Sequence, residues 1–439
     1  MVIVNHHLLF ADLVRQEHSL HTILPDARIV LVDEAHRLLE VARKFCGKNI
    51  SSRQIVELIE DIDVELVSLG NDDPLTRGAL SGLQSALDRL SHDIISSETI
   101  DYKEWLKECS MFGIVNFDYA LNELIANLDR VAERSRGLKH LLKRSLGLAD
   151  LFALLTDDFA NEAHIQWLER RKGYFNIYLS PLSIADTLRK VFCDSAVSWI
   201  FTSATLSLDR DFTHFQTKMG LETAKCWSFD SPFDYSKVVK AWLPDPLPLP
   251  GSEKHVRELV EAIMPLINCN HGRTLFLFTS HSAMRRASQI LSVMKRPILV
   301  QGDQSRSQLR RSFIERPGAV LLATRSFWEG VDFRGADLHC LIIDKLPFPN
   351  PSDPIYAAEA ERIQKNGGDS FSELALPMTA MALKQGFGRL IRQQSDKGLF
   401  VLGDSRIRSR NYGNFILGNL PEMVWLDSSE DATDWLRTL

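Results

Sequence analysis

Two adjacent carboxylates, Asp33 and Glu34, directly follow the apolar run Ile29–Val32 and precede Ala35 and His36. In parallel α/β sheets, ligands bind beyond the carboxyl ends of the strands. At such a position an aspartate can hold Mg²⁺ on a nucleotide, and the next glutamate can orient or deprotonate the attacking water. The pattern favours a nucleotide hydrolase. The alternative is an acidic turn in which one carboxylate caps the following helix.

A second strand-like run ends in the small residues Ser203, Ala204 and Thr205. Alone, this triplet is typical of a turn. Because it follows the Asp33-Glu34 pair along the chain, we interpret it as a link between the hydrolysis site and nucleic-acid movement.

A third segment of interest runs from Thr324 to Phe333. Gly330 would allow a ligand to approach the backbone closely, because glycine has no side chain. Asp332 could bind the ribose or organise neighbouring arginines. For Trp328 two interpretations are open, a core position or stacking on a base.

Near the C-terminal part of the chain, Gln385 is followed by Arg389 and Arg392. Two arginines three residues apart on a helix share a face, where they repel unless an anion lies between them. A triphosphate is such an anion, and an arginine finger stabilises the charge of the transferring phosphoryl group. The alternative is a pair of solvated arginines bound to local acids.

Several short apolar runs without clean alternation are predicted to be buried parallel strands. They are Ile29–Val32, Trp199–Thr202, Thr274–Phe278, Ile298–Val300, Val320–Ala323, Cys340–Ile343 and Leu399–Leu402. Helical patterns between most of them indicate α/β layers. From about Cys46 to Leu168 there are long helical patterns and no strand-like run, which predicts a mostly helical insertion. Alternating prolines at 244–251 stiffen the chain and predict a domain boundary.

The composition is that of an ordinary globular protein, with 45% hydrophobic and 25% charged residues and a formal net charge of −6. Any nucleic-acid binding must therefore come from local basic patches. A basic segment offers one, as either a solvated face or a contact with the DNA backbone: Arg130, Arg134, Arg136, Lys139, Lys143 and Arg144. The sequence shows no signal peptide and no apolar run of membrane-spanning length, so we expect a cytoplasmic protein without membrane contact.

The four motif segments occur in the order found in superfamily 2 helicases, and together they resemble that family's motor motifs. The F-W-E-G-V-D form, the Q-x-x-G-R-x-x-R form and Gly403–Arg406 are similar to the XPD/DinG branch, most of all to its bacterial YoaA-type group. Asn5–Leu9 and Ser180–Leu182 also resemble that group. The resemblance extends from about residue 1 to the end of the chain.

The resemblance implies an α/β fold with two RecA-like parallel-sheet motor domains, the first incomplete, and a helical arch insertion. The first motor domain would comprise 1–45 and 171–240, the arch 46–170, and the second motor domain 241–439. It also implies an ATP-dependent motor that moves 5′ to 3′ on DNA in repair or replication. Its Mg²⁺ would be held through the nucleotide by Asp33 and Glu34. The expected ATP-binding residues are Asp33, Glu34, His36, Gly330, Asp332, Gln385, Arg389 and Arg392.

The sequence departs from the family pattern in two respects. It contains no G-x-x-x-x-G-K-[ST] phosphate-binding loop, and its six scattered cysteines do not form the four-cysteine iron–sulfur site of the family. We therefore expect a truncated chain that begins part-way through the first motor domain, has little ATPase activity alone and leaves an exposed sheet edge. Two other function classes are open: a non-catalytic DNA- or protein-binding module, and an RNA remodeller of the same superfamily.

The partners that the resemblance implies are single-stranded or forked DNA and, for YoaA-type proteins, the chi subunit of the clamp loader. The second motor domain or the C-terminus would bind that subunit. Within 432–439, Trp435 either packs onto the second lobe or anchors such a docking segment, since tryptophan and arginine are frequent interface anchors.

Overall fold

The computed structural model describes 1–17, 22–70, 73–93, 99–101, 111–156, 164–171, 173–193, 196–324, 327 and 338–439. The chain forms two compact units. Unit 1 comprises 1–202, 215–222 and 351–359, and unit 2 comprises 203–214, 223–350 and 360–439. No helix within the described part of the chain is long and apolar enough to cross a membrane.

Unit 1 contains a small parallel sheet made of β1 (Ile29–Val32) and β6 (Ser198–Phe201). The register pairs Ile29 with Ser198 and Val32 with Phe201, so both strands end at the same edge. Around this sheet lie α1 (His6–Glu17), α2 (Leu38–Cys46) and α7 (Ala185–Cys193). The sequence predicts β1 with the observed bounds and β6 within one residue, but it also predicts buried strands. In unit 1, Ile29 and Leu31 are instead 64% and 62% exposed.

The insertion in unit 1 contains long helices, as the sequence indicates: α3 (Ser52–Ser68), α4 (Pro74–Asp93), α5 (Met111–Val131) and α6 (Arg136–Thr156). These helices share a core in which Phe117 and Phe152 pack at 4.7 Å between ring centroids. The helices begin at clear signals. At the start of α3, for example, Ser51 and Gln54 form a capping box.

The expectation that this insertion lacks strands is wrong. Four antiparallel strands form a sheet in the order β2-β5-β4-β3, with β2 (Lys48–Ser51), β3 (Thr99–Asp101), β4 (His164–Arg171) and β5 (Tyr174–Pro181). The strands escape a search for apolar runs because polar and charged residues interrupt them. In β4, Ile165 and Leu168 are buried, whereas Glu169, Arg170 and Arg171 are charged.

Unit 2 contains a seven-stranded, fully parallel sheet in the order β13-β7-β12-β11-β8-β10-β9. Its strands are β7 (Val239–Trp242), β8 (Arg273–Leu277), β9 (Ile298–Val300), β10 (Val320–Ala323), β11 (Leu338–Ile343), β12 (Gly398–Leu402) and β13 (Val424–Leu426). Five of these strands match the predicted runs. The two others, β7 and β13, were not predicted, and in β7 the charged residue Lys240 interrupts the apolar run.

Helices cover the sheet of unit 2, and separate apolar clusters pack against it. The helices described beyond β6 are α8 (Thr213–Met219), α9 (Tyr235–Val238), α10 (Glu253–Cys269), α11 (His281–Leu291), α12 (Arg306–Glu315), α13 (Pro354–Lys365), α14 (Leu376–Phe387), α15 (Arg406–Ser409), α16 (Gly413–Gly418) and α17 (Ser429–Arg437). The proline-rich segment 244–251 lies between β7 and α10. It therefore joins two elements of unit 2 rather than two units.

Candidate nucleotide and nucleic-acid sites

The carboxyl ends of β1 and β6 bring Asp33 and Thr202 together in unit 1. Oδ1 of Asp33 accepts hydrogen bonds from the Thr202 hydroxyl at 3.0 Å and from the Glu34 backbone N–H at 2.9 Å. The backbone continues the pairing, because the Ala35 N–H donates to the Thr202 carbonyl at 3.0 Å. Parallel pairing thus fixes the orientation of the first carboxylate. Thr202 was not among the predicted site residues, although it stands directly before the Ser203–Thr205 triplet.

Glu34 has φ 49° and ψ 44°, the left-handed region that is unusual for a residue with a side chain. Such a conformation persists only where surrounding contacts hold it, and it occurs often at functional sites. A short 3₁₀ helix, Ala35–Arg37, follows directly. The Glu34 side chain makes no capping hydrogen bond to it, and Glu34 Oε2 lies 3.4 Å from His36 Nδ1. The alternative in which Glu34 acts as a side-chain helix cap is therefore not what the structure shows.

The chemistry of these side chains fits a magnesium ion that arrives with a nucleotide. Mg²⁺ prefers oxygen ligands, keeps several waters and is usually bound through one or two carboxylates plus substrate phosphates. Asp33 and Glu34 provide such oxygens at the strand end. Within the described residues, no group of three or more His, Cys, Asp or Glu side chains could hold a metal ion by itself.

Among the described residues, the cysteines do not form the four-cysteine iron–sulfur site that the resemblance implies. Cys46, Cys193, Cys226, Cys269 and Cys340 are free thiols, and Cys340 is fully buried in β11. Cys109 lies outside the described residues.

In unit 2, Gln385 contacts the Ser203–Thr205 triplet. The Gln385 side-chain amide donates to the Thr205 hydroxyl at 3.1 Å, and the Thr205 backbone N–H donates to the Ser203 hydroxyl at 3.2 Å. Thr205 is buried, so an unpartnered hydroxyl there would cost free energy. A residue expected to reach the nucleotide and a triplet expected to couple hydrolysis to movement therefore share one hydrogen-bonded group.

The expectation that Arg389 and Arg392 share a helical face is wrong. Helix α14 ends at Phe387, and the next residues form turns in which the Arg389 N–H donates to the Gly386 carbonyl. The Arg392 N–H instead donates to the Asp396 carboxylate at 2.8 Å, which fixes a second turn. The residue that follows α14 is Gly388, and glycine has a low helix propensity.

The third motif segment lies almost entirely outside the described residues, including Trp328, Gly330 and Asp332. Only its borders are described. Thr324, at the end of β10, donates its backbone N–H to Gln301 Oε1 at 2.7 Å, and Phe327 is buried.

The basic segment of the insertion is divided among several elements and partly neutralised. Arg130 at the end of α5 bonds Asp73 at 2.7 Å, Lys139 bonds Glu133 at 2.7 Å, and Arg144 bonds Asp61 at 2.5 Å. Of the proposed DNA contacts, Arg134 lies in a short 3₁₀ helix, whereas Lys139 and Lys143 share a face of α6. The acid partners support the interpretation of this segment as a solvated, ion-paired face.

The C-terminal tryptophan packs against unit 2. The Trp435 indole N–H donates to the Gly398 carbonyl at 3.1 Å, and the Lys240 ammonium lies 5.6 Å from the ring centroid. Ala432 and Leu436 on the same helix are buried. These contacts support the packing alternative for Trp435.

Two buried aspartates lie at the carboxyl ends of neighbouring strands in unit 2. Asp344, after β11, accepts from the backbone N–H groups of Thr279 and Lys345 at 3.0 and 2.8 Å. Burial outweighs these bonds and the nearby Lys345 charge, and raises the pKa of Asp344 to about 7. Asp404, after β12, is fully buried and bonds Arg406.

The chain is similar in sequence to known helicases. Residues 263–423 match the family described as Helicase C-terminal domain. The chain is 36% identical to the "ATP-dependent DNA helicase YoaA" of Escherichia coli strain K12 and 33% identical to the protein of that name in Haemophilus influenzae. Both alignments cover 96% of this chain and 66% of the relative, so the chain spans slightly less than two thirds of the length of these relatives. An "ATP-dependent helicase DinG" of Mycobacterium tuberculosis is 29% identical over 100% of this chain.

Solved structures show the same fold. The structure of S. tokodaii Xpd4 has a TM-score of 0.60 at 15% identity, covering 96% of this chain and 81% of that one. Another XPD helicase structure has a TM-score of 0.58 at 17% identity, covering 95% and 72%. The architecture is therefore that of a RecA-like helicase. Within that fold class, the chain is similar in sequence to the helicases named YoaA and DinG.

Proposed function

We propose that this chain is the motor part of an ATP-dependent DNA helicase that moves 5′ to 3′ on single-stranded or forked DNA, in repair or replication. The observation that carries the proposal is the hydrogen bond between Gln385 and Thr205. It joins two motif positions that lie 180 residues apart and to which the family pattern gives complementary roles. We propose the cytoplasm as its compartment.

In this proposal, residues of unit 1 bind Mg²⁺ and position the attacking water, and residues of unit 2 stabilise the charge of the transferring phosphoryl group. Asp33, oriented by Thr202, would hold Mg²⁺ together with the nucleotide, and Glu34 would position the attacking water. Mg²⁺, when bound, neutralises charge on the phosphates. In unit 2, Arg389 and Arg392 would stabilise the charge of the transferring phosphoryl group, and Gln385 would transmit the state of the nucleotide to Ser203–Thr205. Gly330 and Asp332 would contribute to the nucleotide site, and Trp328 to stacking on DNA.

We further propose that this chain alone hydrolyses ATP slowly. The sequence supplies the carboxylates and the arginines, but it contains no loop with the lysine and hydroxyl that cradle and ligate the phosphates. The iron–sulfur cluster of the family would have to be held by residues other than the cysteines of this chain.

The test combines DNA binding with ATP hydrolysis. The 439-residue chain should bind a forked DNA with affinity that falls steeply with salt, and it should show ATPase rates no greater than those of its Glu34→Gln variant. DNA-dependent hydrolysis at ordinary helicase rates, abolished in Glu34→Gln, would establish the motor and overturn the proposal of slow hydrolysis. Absence of DNA binding at low salt would contradict the DNA-helicase proposal.

A non-catalytic DNA- or protein-binding module is the second candidate, favoured by the lack of the phosphate-binding loop. It predicts DNA binding that does not respond to Mg-ATP. In contrast, a motor predicts that Mg-ATP changes DNA affinity and that Gln385→Ala removes this response. Thr379→Ser, a conservative change in the same helix, serves as the control.

For a protein partner, we propose the chi subunit of the clamp loader, which would bind unit 2 away from the packed face of α17. The exposed charges of that helix, Asp434 and Arg437, form an ion pair at 3.0 Å and offer a recognisable surface. Exchanging the two charges should weaken chi binding in a pull-down with purified proteins. If the exchange leaves binding unchanged, α17 is not the docking element.

A further inference from the structure

Three aromatic rings from separate segments of unit 2 contact one another, and we call them the aromatic platform: Phe348, Phe371 and Tyr412. Phe348 and Phe371 stack with ring centroids 5.7 Å apart and an interplanar angle of 24°. Tyr412 meets both rings edge-on, at 5.7 Å from Phe348 and 5.3 Å from Phe371. Such geometries are favourable for aromatic pairs, so the three rings support one another.

The platform is partly open to solvent. Phe348 and Tyr412 pack against the core of unit 2, but Phe371 remains 40% exposed. Phe371 begins a five-residue π-helix, Phe371–Ala375, immediately before α14. Single π turns are rare and occur frequently at functional sites. An exposed ring supported from below by two others is suited to stacking on a flat ligand.

A fully buried carboxylate holds this region in place. Asp404 accepts hydrogen bonds from Nε and Nη2 of Arg406 at 2.9 and 2.7 Å, and from the Leu346 N–H at 2.8 Å. The Arg406 guanidinium in turn lies 5.4 Å from the centroid of the Phe348 ring. Asp404 therefore positions both the loop that carries Phe348 and the cation above that ring, which limits the entropy lost when a ligand binds.

The turn that carries Tyr412 is also tightly packed. A Cβ atom added at Gly413 would lie 1.8 Å from the Ile407 carbonyl oxygen, so only glycine fits between this turn and α15. The third ring is thus held by backbone packing rather than by a flexible loop.

Positive charges lie near one part of the aromatic platform and a negative charge lies near another, so only the first part would attract a polyanion. Arg410 is exposed and its charge acts on Tyr412, whereas the Arg408 guanidinium lies 5.9 Å from the centroid of the Trp425 ring. Next to Phe371 in the chain, Asp369 accepts bonds from Ser372 and from backbone N–H groups, which lower its pKa and keep it ionised. A phosphate backbone would therefore be repelled near Asp369 and attracted toward the arginines.

We propose that the aromatic platform binds single-stranded DNA, with a base stacked on Phe371 and the adjoining phosphates near Arg406 and Arg410. Stacking on an aromatic side chain accepts any base, which suits a motor that moves along DNA of any sequence. The inference rests on the proposed DNA-helicase function and adds a base-stacking surface on unit 2.

The experiment measures binding of fluorescein-labelled oligo(dT) to the 439-residue chain by anisotropy. Phe371→Ala should weaken binding about tenfold, because removing a base-stacking ring costs roughly 1–3 kcal/mol. Phe371→Trp should restore affinity. Phe229→Ala, which removes an 88% exposed phenylalanine elsewhere in unit 2, should have no effect. The salt dependence should stay unchanged in Phe371→Ala and become shallower by about one unit in Arg410→Ala.

A second measurement does not depend on the stability of the alanine variant. In Phe371→Trp, oligo(dT) should quench more tryptophan fluorescence than it does in the unsubstituted chain. Tyr412→Phe keeps the ring and should bind normally, whereas Tyr412→Ala should bind less tightly.

The outcomes of these measurements distinguish the proposal for the aromatic platform from the proposal of a DNA helicase. If the unsubstituted chain binds oligo(dT) and Phe371→Ala binds equally well, the platform is wrong and the helicase proposal stands. If the chain binds no oligo(dT) even at low salt, both fail. If Phe371→Ala loses affinity for oligo(rU) alone, the platform is an RNA surface and the proposal for DNA is overturned.

Discussion

The two parallel sheets of the molecule are built from similar short apolar strands but differ in how they are covered. In unit 2, all residues of β8, β10 and β12 are buried, with apolar clusters packed against the sheet. In unit 1, β1 has the sequence Ile-Val-Leu-Val, yet Ile29 and Leu31 are mostly exposed and only Val32 is buried. Purely parallel sheets ordinarily have both faces covered, so the sheet of unit 1 is the exception.

The difference shows that an apolar strand sequence specifies a strand but does not guarantee its burial. Each exposed β1 side chain leaves unused the free energy that burial of a large apolar side chain supplies, about 1.5–3 kcal/mol. Stability should therefore depend strongly on side chains in the sheet of unit 2 and weakly on those in the sheet of unit 1.

The largest effect is expected for Phe400→Ala in β12. The ring is fully buried and meets Phe387 edge-on at 5.3 Å, so its removal should cost about 3–5 kcal/mol. Hydrogen exchange of the β11 and β12 amides would measure the loss within unit 2. Ile200→Ala in β6 is the matched change in unit 1 and should cost less than about 1 kcal/mol. Equal losses at both positions would contradict the comparison.

Unit 1 depends more on an ion cluster than on its sheet, and Glu359→Gln tests this. Glu359 is buried in α13 and bonds Arg43 of α2 and Lys218 of α8, the latter at 2.9 Å. Removing the charge should cost about 3 kcal/mol at pH 7, because two cations lose their shared partner.

The pH dependence of the Glu359 cluster has a definite sign. Burial alone would raise the pKa of Glu359, but Lys218 and Arg43 together hold it below the ordinary value of 4.5. The stability contributed by the carboxylate is thus present above pH 4.5 and is lost as the pH falls through its depressed pKa. Thermal denaturation should show a large deficit for Glu359→Gln at pH 7 that shrinks below pH 4.5. A deficit that does not change with pH would exclude the ionic explanation.

A smaller effect of opposite sign is expected for Asp344→Asn in unit 2. Because the pKa of Asp344 is raised from 3.8 to about 7, the folded state binds an extra proton between those values, and stability falls as the pH rises. Asparagine keeps an oxygen for the two backbone N–H donors and does not ionise. The melting temperature of the Asp344→Asn variant minus that of the unsubstituted chain should therefore increase from pH 4 to pH 7 and stay constant above pH 7. A difference that stays flat with pH would show that Asp344 is not buried as described.

The smallest change in stability is expected for Leu31→Lys in β1. This side chain is already 62% exposed, so a charge there should alter the free energy of unfolding by less than about 1 kcal/mol. It should nevertheless reduce self-association measured by light scattering, since charges on open strands oppose intermolecular pairing. Leu321→Lys in the buried strand β10 should instead prevent folding of unit 2. Unchanged scattering by the Leu31 variant would remove β1 as the source of association.

Sequence reasoning predicted most strands of the parallel sheets because each is an uninterrupted apolar run. It missed the antiparallel sheet because strands such as β4 have few buried residues, Ile165 and Leu168, and the polar and charged residues beside them conceal the pattern. It also missed the end of α14 at Phe387. The R-x-x-R spacing fits a helical face, but α14 ends before either arginine, and the residue after it, Gly388, has a low helix propensity.

In the candidate site, too, some features could be predicted from the sequence and others could not. The local sequence places Asp33 and Glu34 at a strand end, because that position depends only on neighbouring residues. The contact of Asp33 with Thr202 and that of Thr205 with Gln385 join segments more than 150 residues apart, and only the fold brings them together. The aromatic platform is of this kind too, since its three rings come from three segments.

Gly413 has a consequence for the history of the gene. Every other amino acid carries the Cβ atom for which the Ile407 carbonyl leaves no room, so nearly every missense change at this codon should be eliminated by selection. A saturation library screened for folded protein should show glycine almost alone at position 413, beside a tolerant position at exposed Phe415. Among related genes, the codon for Gly413 should therefore differ only by synonymous changes at its third base.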